Sequence, residues 1–139
     1  MVGLDDVEAS LFKYLYDTLE VGKGIAVHDS ITLEDFSAFT KWVVMDTLNT
    51  YVGAQPKTLY FLRAAVQHGM KNESTGLASL VDTVVNEVDG ANVPIYDYET
   101  EELVGNMNIT VDSISPAIPH SSGGSFRSIT LTVTYEGHA

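Results

Sequence analysis

Apolar residues recur at helical spacing near the N-terminus. The residues that share one face of this segment are Leu4, Val7, Leu11, Leu15 and Leu19. Asp5 and Asp6 stand in the first turn, where the helix dipole favours negative charge, and Gly22 follows the last turn. The pattern predicts a first amphipathic helix that ends before Gly22.

A second apolar stripe is the clearest helical signal in the chain. It follows the i, i+3, i+4, i+7 rule and consists of Leu77, Leu80, Val81, Val84, Val85 and Val88. We expect Asn72 or Ser74 to cap the start of this helix and Gly90 to close its end. Because valine loses side-chain freedom in a helix, its repeated use predicts close packing against a sheet.

Strand patterns account for most of the remaining chain. Residues 41–52 and 57–68 are rich in β-branched and aromatic side chains and flank a Gly-Ala-Gln-Pro turn, so they predict an antiparallel pair. Residues 93–98 predict a shorter strand. Two further strands alternate with period two, and their inward faces are predicted to be Leu103, Met107, Ile109 and Val111 in the first and Ile129, Leu131, Val133 and Tyr135 in the second.

Two segments lack a clear period. Residues 22–40 predict a long connection that contains a short strand, and residues 116–125, rich in Pro, Ser and Gly, predict a long flexible loop. The order is therefore helix, strand pair, helix and three strands. It predicts an α+β fold in which a mixed, mostly antiparallel β-sheet is packed by two amphipathic helices, as a single domain over residues 1–139.

Composition excludes several classes of protein. The chain has 7 Lys and Arg against 19 Asp and Glu, a formal charge of -12, and it contains no cysteine. Without cysteine there is no disulfide framework, thiolate zinc site or iron–sulfur cluster, and the acidic balance argues against a basic groove for nucleic acid. No apolar run is long enough for a signal peptide or a transmembrane helix, so we expect a soluble protein.

Candidate chemistry is sparse. The histidines are His28, His68, His120 and His138, and their spacing matches no metal-binding motif. The serines of residues 121–125 precede a strand, which is the wrong context for a hydrolase nucleophile. We therefore expect no catalytic residue, no metal and no cofactor.

Two charged features stand out. Asp97, Glu99, Glu101 and Glu102 crowd a predicted hairpin tip, where a solvated turn that repels polyanions is expected rather than an acid–base site. Arg63 lies inside a predicted strand and must reach the surface, a carboxylate or a neighbouring subunit.

Trp42, the single tryptophan, stands beside valines on a strand and is expected to pack in the sheet.

The organisation of the chain resembles a known family. The features that carry the resemblance are the N-terminal helix, the strand led by Trp42-Val43-Val44, a second strand ending in Gln67-His68-Gly69, the helix containing Leu77-Ala78-Ser79-Leu80-Val81-Asp82-Thr83-Val84, and the final three strands. Together with the size, the acidity and the lack of cysteine, this order resembles the tail terminator proteins of long-tailed bacteriophages, and the resemblance spans most of the chain.

The resemblance implies a structural, non-enzymatic virion protein that assembles in the host cytoplasm. It would form a homo-oligomeric ring, six subunits in the well-known members, that caps the tail tube protein, ends tail polymerisation and meets the head connector or stopper protein. Genome DNA would pass through the ring without specific binding, and no membrane is involved.

Site residues follow in that reading as hypotheses. The channel would be lined by acidic residues that repel the DNA: Asp97, Glu99, Glu101 and Glu102. A second set would lie at a subunit or tube interface: Arg63, His120, Ser121, Ser122, Gly123 and Gly124.

Three other functions stay open. Another head–tail connector or neck protein would share most of these features. A small acidic enzyme would reveal itself by a pocket with a strongly perturbed carboxylate or imidazole, whereas ring assembly would favour a flat edge strand. A monomeric binding module would lack a surface patch large enough for subunit packing.

Overall fold

The computed structural model describes residues 3–29, 41–52, 57–66, 73–119 and 125–137. Within these ranges the helices are α1 (Leu4–Leu15), which continues as a π-helical segment (Tyr16–Val21), and α2 (Glu73–Val88). The strands are β1 (Ala26–Asp29), β2 (Lys41–Val52), β3 (Lys57–Val66), β4 (Asn92–Tyr96), β5 (Leu103–Ile114), β6 (Ile118–Pro119) and β7 (Ser125–Gly137). The chain is an α+β single domain, as the sequence predicts.

The strands form one mixed sheet in the order β1-β2-β3-β7-β5-β4, which curls into a half-barrel. β1 runs parallel to β2, and every other pair is antiparallel. The last strand, β7, lies in the middle of the sheet between β3 and β5. The predicted mixed, mostly antiparallel sheet is confirmed, as is the short strand expected within residues 22–40.

α1 packs on the inner face of the sheet through the predicted stripe. Val7, Leu11, Leu15 and Leu19 are fully buried, whereas Leu4, also assigned to this stripe, is exposed. Four residues exceed one α-helical turn, so a constant four-residue spacing drifts around a plain α-helix. The wider π-helical turns after Leu15 offset this drift and keep Leu19 on the buried face.

α2 buries its valine stripe against the same face. Leu77, Leu80, Val81, Val84 and Val88 are buried, which confirms the predicted packing of this helix against a sheet. One detail was wrong: Ser74 lies inside the helix, which already begins at Glu73, so it is not the N-cap. The alternative cap, Asn72, lies outside the described residues.

Gly90 ends α2 in the left-handed conformation, with a φ of +75°, and its N–H donates to the Ile109 carbonyl at 2.8 Å. An alanine at this position costs about 1 kcal/mol in unfolding free energy, because its Cβ disfavours that backbone conformation. The control is Gly76→Ala, since Gly76 lies within α2 and a Cβ there meets nothing within 4 Å. That change is expected to stabilise the protein by about 0.5 to 1 kcal/mol. Urea unfolding measures whether each substitution lowers or raises the free energy of unfolding. A change in the same direction for both variants would contradict this explanation.

β5 differs from its predicted phase. Leu103 is 51% exposed, although it was expected on the same face as Met107, and Val104 packs against the core in its place. The pairing of β4 with β5 shifts between Ile95 and Tyr96, which inserts one extra residue into β5. Because side chains alternate with period two, that bulge moves Leu103 to the opposite face. Beyond it, Met107 and Ile109 are buried as predicted.

The far side of the sheet carries a second, smaller cluster. Trp42, Val44 and Ala65 are buried there, and Ala26 and Phe126 pack against them. The predicted packing role of Trp42 is therefore confirmed. Further along the sheet the same face becomes polar, because β7 presents Ser128, Thr130, Thr132 and Thr134 while Ile129, Leu131, Val133 and Tyr135 enter the main core.

The segment predicted as one long loop over residues 116–125 is corrected in part. Ile118 and Pro119 pair with Phe126 and Ser125, so β6 adds a short antiparallel ladder to β7. Residues 120–124 lie outside the described part of the chain. In the described chain, no helix is long and apolar enough to cross a membrane.

Candidate functional site at the acidic turn

The turn between β4 and β5 is held by hydrogen bonds to one aspartate. The Glu99 and Thr100 N–H groups donate to Asp97 Oδ1 at 2.9 and 2.8 Å. The Asp97 N–H donates to the Glu102 carbonyl at 2.7 Å, and the Glu101 N–H donates to the Asp97 carbonyl at 2.9 Å. Glu101 adopts the left-handed conformation, with a φ of +61°. The predicted acidic hairpin tip is therefore a defined turn.

Asp97 is held in its charged form by this arrangement. Hydrogen bonds from the Thr100 and Glu99 backbone lower the pKa of its carboxyl group. A general acid needs the opposite shift, a pKa raised toward neutrality. The carboxylate therefore serves to fix the turn.

This lowered pKa gives a testable pH dependence. The stabilisation from Asp97 is present above the ordinary aspartate pKa and is lost as the pH falls through the lower folded value. We expect the amide signals of Glu99 and Thr100 in two-dimensional NMR to titrate with a midpoint below about 3.9, the reference value. Asp97→Asn should abolish that step. A midpoint above the reference value would contradict the assignment.

α1 anchors the turn and covers the outer edge of β4. The Tyr96 N–H donates to Ser10 Oγ at 3.0 Å, and the Tyr98 N–H donates to Asp6 Oδ1 at 2.8 Å. Backbone N–H groups of a strand point alternately to its two sides, and Pro94, two residues before Tyr96, has no N–H group to present at this edge. Strand addition at this edge would therefore have to displace side chains of α1.

The opposite edge of the sheet is covered in a similar way. The Val27 N–H of β1 donates to Glu20 Oε1 at 3.0 Å, and Glu20 belongs to the π-helical continuation of α1. One N-terminal helix thus crosses the sheet and caps N–H groups on both edge strands. The flat, open edge strand that would have favoured ring assembly is not offered at these positions.

A groove runs between α1 and the turn. Its larger part has a volume of about 400 Å³ and is lined by Ala9, Ser10, Lys13, Tyr96, Asp97, Tyr98 and Glu101. A smaller part of about 170 Å³ shares Ser10, Lys13 and Tyr96 and extends to Asp17. The Lys13 ammonium lies 5.6 Å from the centre of the Tyr96 ring, within the range of a cation–π contact.

The groove divides the four carboxylates predicted as one channel lining. Asp97 and Glu101 line the groove, whereas Glu99 and Glu102 are not among its lining residues. Sequence reasoning did not identify the other side chains of the groove. Ser10 and Tyr96 are 86 residues apart along the chain, so only the packing of α1 beside β4 brings them together.

Arg63 lies elsewhere, in the middle of β3 on the far face of the sheet. Its Nε is 4.0 Å from Asp46 Oδ2, and its guanidinium lies 5.9 Å from the centre of the Phe126 ring. Of the three destinations expected for this charge, the structure shows a carboxylate of its own chain. Its interface role stays a prediction, and the other proposed interface residues, His120, Ser121, Ser122, Gly123 and Gly124, lie outside the described residues.

Two tyrosines have raised pKa values for structural reasons. Burial raises the pKa of Tyr60 strongly, and the neighbouring Glu8 carboxylate adds to the shift. Burial also raises the pKa of Tyr14, whose hydroxyl donates to the Glu87 carbonyl at 2.5 Å and ties α1 to α2. Both phenols stay protonated near neutral pH, which suits packing roles.

Metal-ligating side chains do not gather in the described ranges: no group of three or more His, Asp or Glu is placed to hold an ion there. Among the histidines, the described part of the chain contains His28 alone, and the other three lie outside it. A scan against protein-family models and a search of curated protein sequences found no match to this chain.

Proposed function

We propose that this chain is a structural subunit of a long-tailed bacteriophage virion, of the tail terminator kind. It assembles into a ring, six copies in the simplest case, that caps the tail tube, ends tail polymerisation and joins the tail to the head connector. The order of the longer elements supports the proposal, since α1, the pair β2 and β3, α2 and the strands β4, β5 and β7 follow the order on which the resemblance rests. The structure adds two short strands, β1 and β6, to that order.

The observation that carries the proposal is the fixed acidic turn. It exposes Glu99, Glu101 and Glu102 on a scaffold that Asp97 and the Asp6 carboxylate of α1 hold in place. Crowding like charges at the surface destabilises a monomer slightly, but it is useful where DNA must slide past without adhering. In the proposed ring, Glu99 and Glu102 face the channel.

The capped sheet edges bear on how subunits would meet. Because α1 side chains cover N–H groups of β1 and β4, ring contacts are proposed to be made through side chains rather than by extending the sheet. Arg63 and residues 120–124 remain the proposed contact residues.

The test removes the two charges proposed to face the channel, in a phage that carries this protein. The double variant Glu99→Gln, Glu102→Gln should assemble normal tails but deliver DNA less efficiently, because phosphates adhere to an uncharged lining. Asp82→Asn with Glu136→Gln is the matched control, since it removes two exposed charges from other elements. Equal DNA delivery by the turn variant and the wild type, or an equal loss in the control, would contradict the channel assignment.

A further inference from the structure

The groove between α1 and the β4–β5 turn combines groups that suit one kind of ligand. It has two carboxylates, Asp97 and Glu101, and two tyrosine rings that are partly open to solvent, Tyr96 and Tyr98. Carboxylates bind guanidinium and ammonium groups, and aromatic rings attract cations on their faces. The volume of the groove is also within the range of ligand-binding sites, and the groove is open to solvent along one side.

The protein already places a cation in this groove. The Lys13 ammonium stands over the Tyr96 ring at 5.6 Å, and Lys13 lines both parts of the groove. Lys13 is itself exposed, so it can move aside at little cost. Its position identifies the Tyr96 ring as a face on which this groove can hold a positive group.

Ser10 supplies a separate polar contact. The residue is 94% buried and lines the groove, and its Oγ accepts the Tyr96 N–H. Among the residues that the structure describes, the hydroxyl proton of Ser10 has no acceptor. A buried donor of this kind suits a carbonyl oxygen, such as that of a peptide main chain.

From these contacts we propose that the groove is a docking site for a basic segment of a partner protein. A lysine or arginine side chain lies between Tyr98 and the Glu101 carboxylate, and a main-chain carbonyl accepts the Ser10 hydroxyl. The segment is held by its side chains and this single main-chain contact, since Ser10 and Asp6 already occupy the outer N–H groups at Tyr96 and Tyr98.

Charge selects this occupant over others. The chain carries a net charge of -12, so it attracts basic partners and repels nucleic acid. A second copy is a poor occupant of this groove, because only 7 of its residues are Lys or Arg. The site does not depend on ring formation and goes beyond the proposed assembly role.

The first test measures fluorescence anisotropy with a short fluorescein-labelled oligoarginine peptide and the full chain. We expect Glu101→Gln to weaken binding about tenfold, which corresponds to the loss of one charge-assisted hydrogen bond. Glu99→Gln and Glu102→Gln are matched controls, because they remove the same charge from the same turn without touching the groove. They should weaken binding less than about twofold.

Two further variants separate the groove from general attraction to an acidic protein. Tyr98→Leu, which changes no charge, should weaken binding about fivefold by removing a ring that holds the cation. Lys13→Met should strengthen binding, because it removes the resident cation from the groove. It should do so more than Lys57→Met, which changes the charge by the same amount at the start of β3. Circular dichroism and thermal unfolding check that each variant is folded.

Several results would overturn the proposal. One is equal weakening by Glu99→Gln and Glu101→Gln, which would indicate diffuse charge attraction. Another is wild-type affinity in Tyr98→Leu, and a third is binding of an oligoglutamate peptide in preference to oligoarginine. A dimer seen by sedimentation and broken by Glu101→Gln would assign the groove to a second copy and would equally overturn it.

Discussion

Replacing Trp42 with alanine is expected to lower the free energy of unfolding by about 3 to 5 kcal/mol, as for other large buried aromatic side chains. Trp42 is 1% exposed and is the largest member of the cluster on the far face of the sheet, with Val44 and Ala65. The loss would be large because neighbouring strands fix the backbone on both sides, so the cavity cannot close. Chemical unfolding followed by circular dichroism measures it.

Trp42→Phe is the control for this prediction. Phenylalanine keeps an aromatic ring in the same place and should lose much less stability than alanine. A smaller loss of stability in Trp42→Phe than in Trp42→Ala would show that the buried volume of the ring matters more than the chemistry of the indole group. If Trp42→Ala unfolded at the wild-type urea concentration, the far-face cluster would contribute nothing to stability and its assignment as a second core would be wrong.

Asp6→Ala is expected to destabilise the protein by about 2 kcal/mol, because two N–H groups lose their acceptor. The Asp6 carboxylate is buried and accepts the Gly3 N–H at 3.0 Å and the Tyr98 N–H at 2.8 Å. It therefore joins the start of α1 to the acidic turn. Besides the loss in urea unfolding, hydrogen exchange at the Tyr98 amide should become faster.

The neighbouring residue gives a matched control. Asp5 is exposed and accepts the Asp6 N–H at 2.9 Å, so its carboxylate acts mainly on the first turn of the helix. Asp5→Ala should cost less than about 1 kcal/mol, as expected for a charge at a helix N-terminus, and should leave Tyr98 exchange unchanged. Equal effects of the two substitutions would show that Asp6 has no special link to the turn.

The elements that repeat with a strict period were predictable from the sequence. The valine stripe of α2 and the alternation of β7 each place one set of side chains in the core, because burial of one face is what sets the period. The bounds of β2 also match the predicted residues 41–52. In these segments the local pattern and the tertiary packing place the same side chains in the core.

Departures from the period come from tertiary structure. The bulge that exposes Leu103 and buries Val104 depends on how β5 pairs with β4, and nothing local to Leu103 signals it. The central position of β7 in the sheet is likewise a matter of pairing, which strand periodicity does not encode. The role of Ser74 depended on where the first turn of α2 begins, and a cap cannot be assigned within a residue or two from sequence alone.

The candidate site was predictable only in part. The acidic turn was visible as a run of carboxylates between two strands, but the division between Glu99 and Glu102 on one side and Asp97 and Glu101 on the other was not. The groove exists because α1 lies along the edge of β4. That contact joins residues far apart in the chain and leaves no mark in the local pattern.

The mass of the purified protein in solution tests the central proposal most directly. Light scattering coupled to size exclusion should be run over about a hundredfold range of protein concentration, since assembly depends on concentration. A ring predicts one discrete species near six times the 15.1 kDa of the chain, persisting on dilution. A mass of 15.1 kDa at every concentration would contradict a ring that this protein forms by itself.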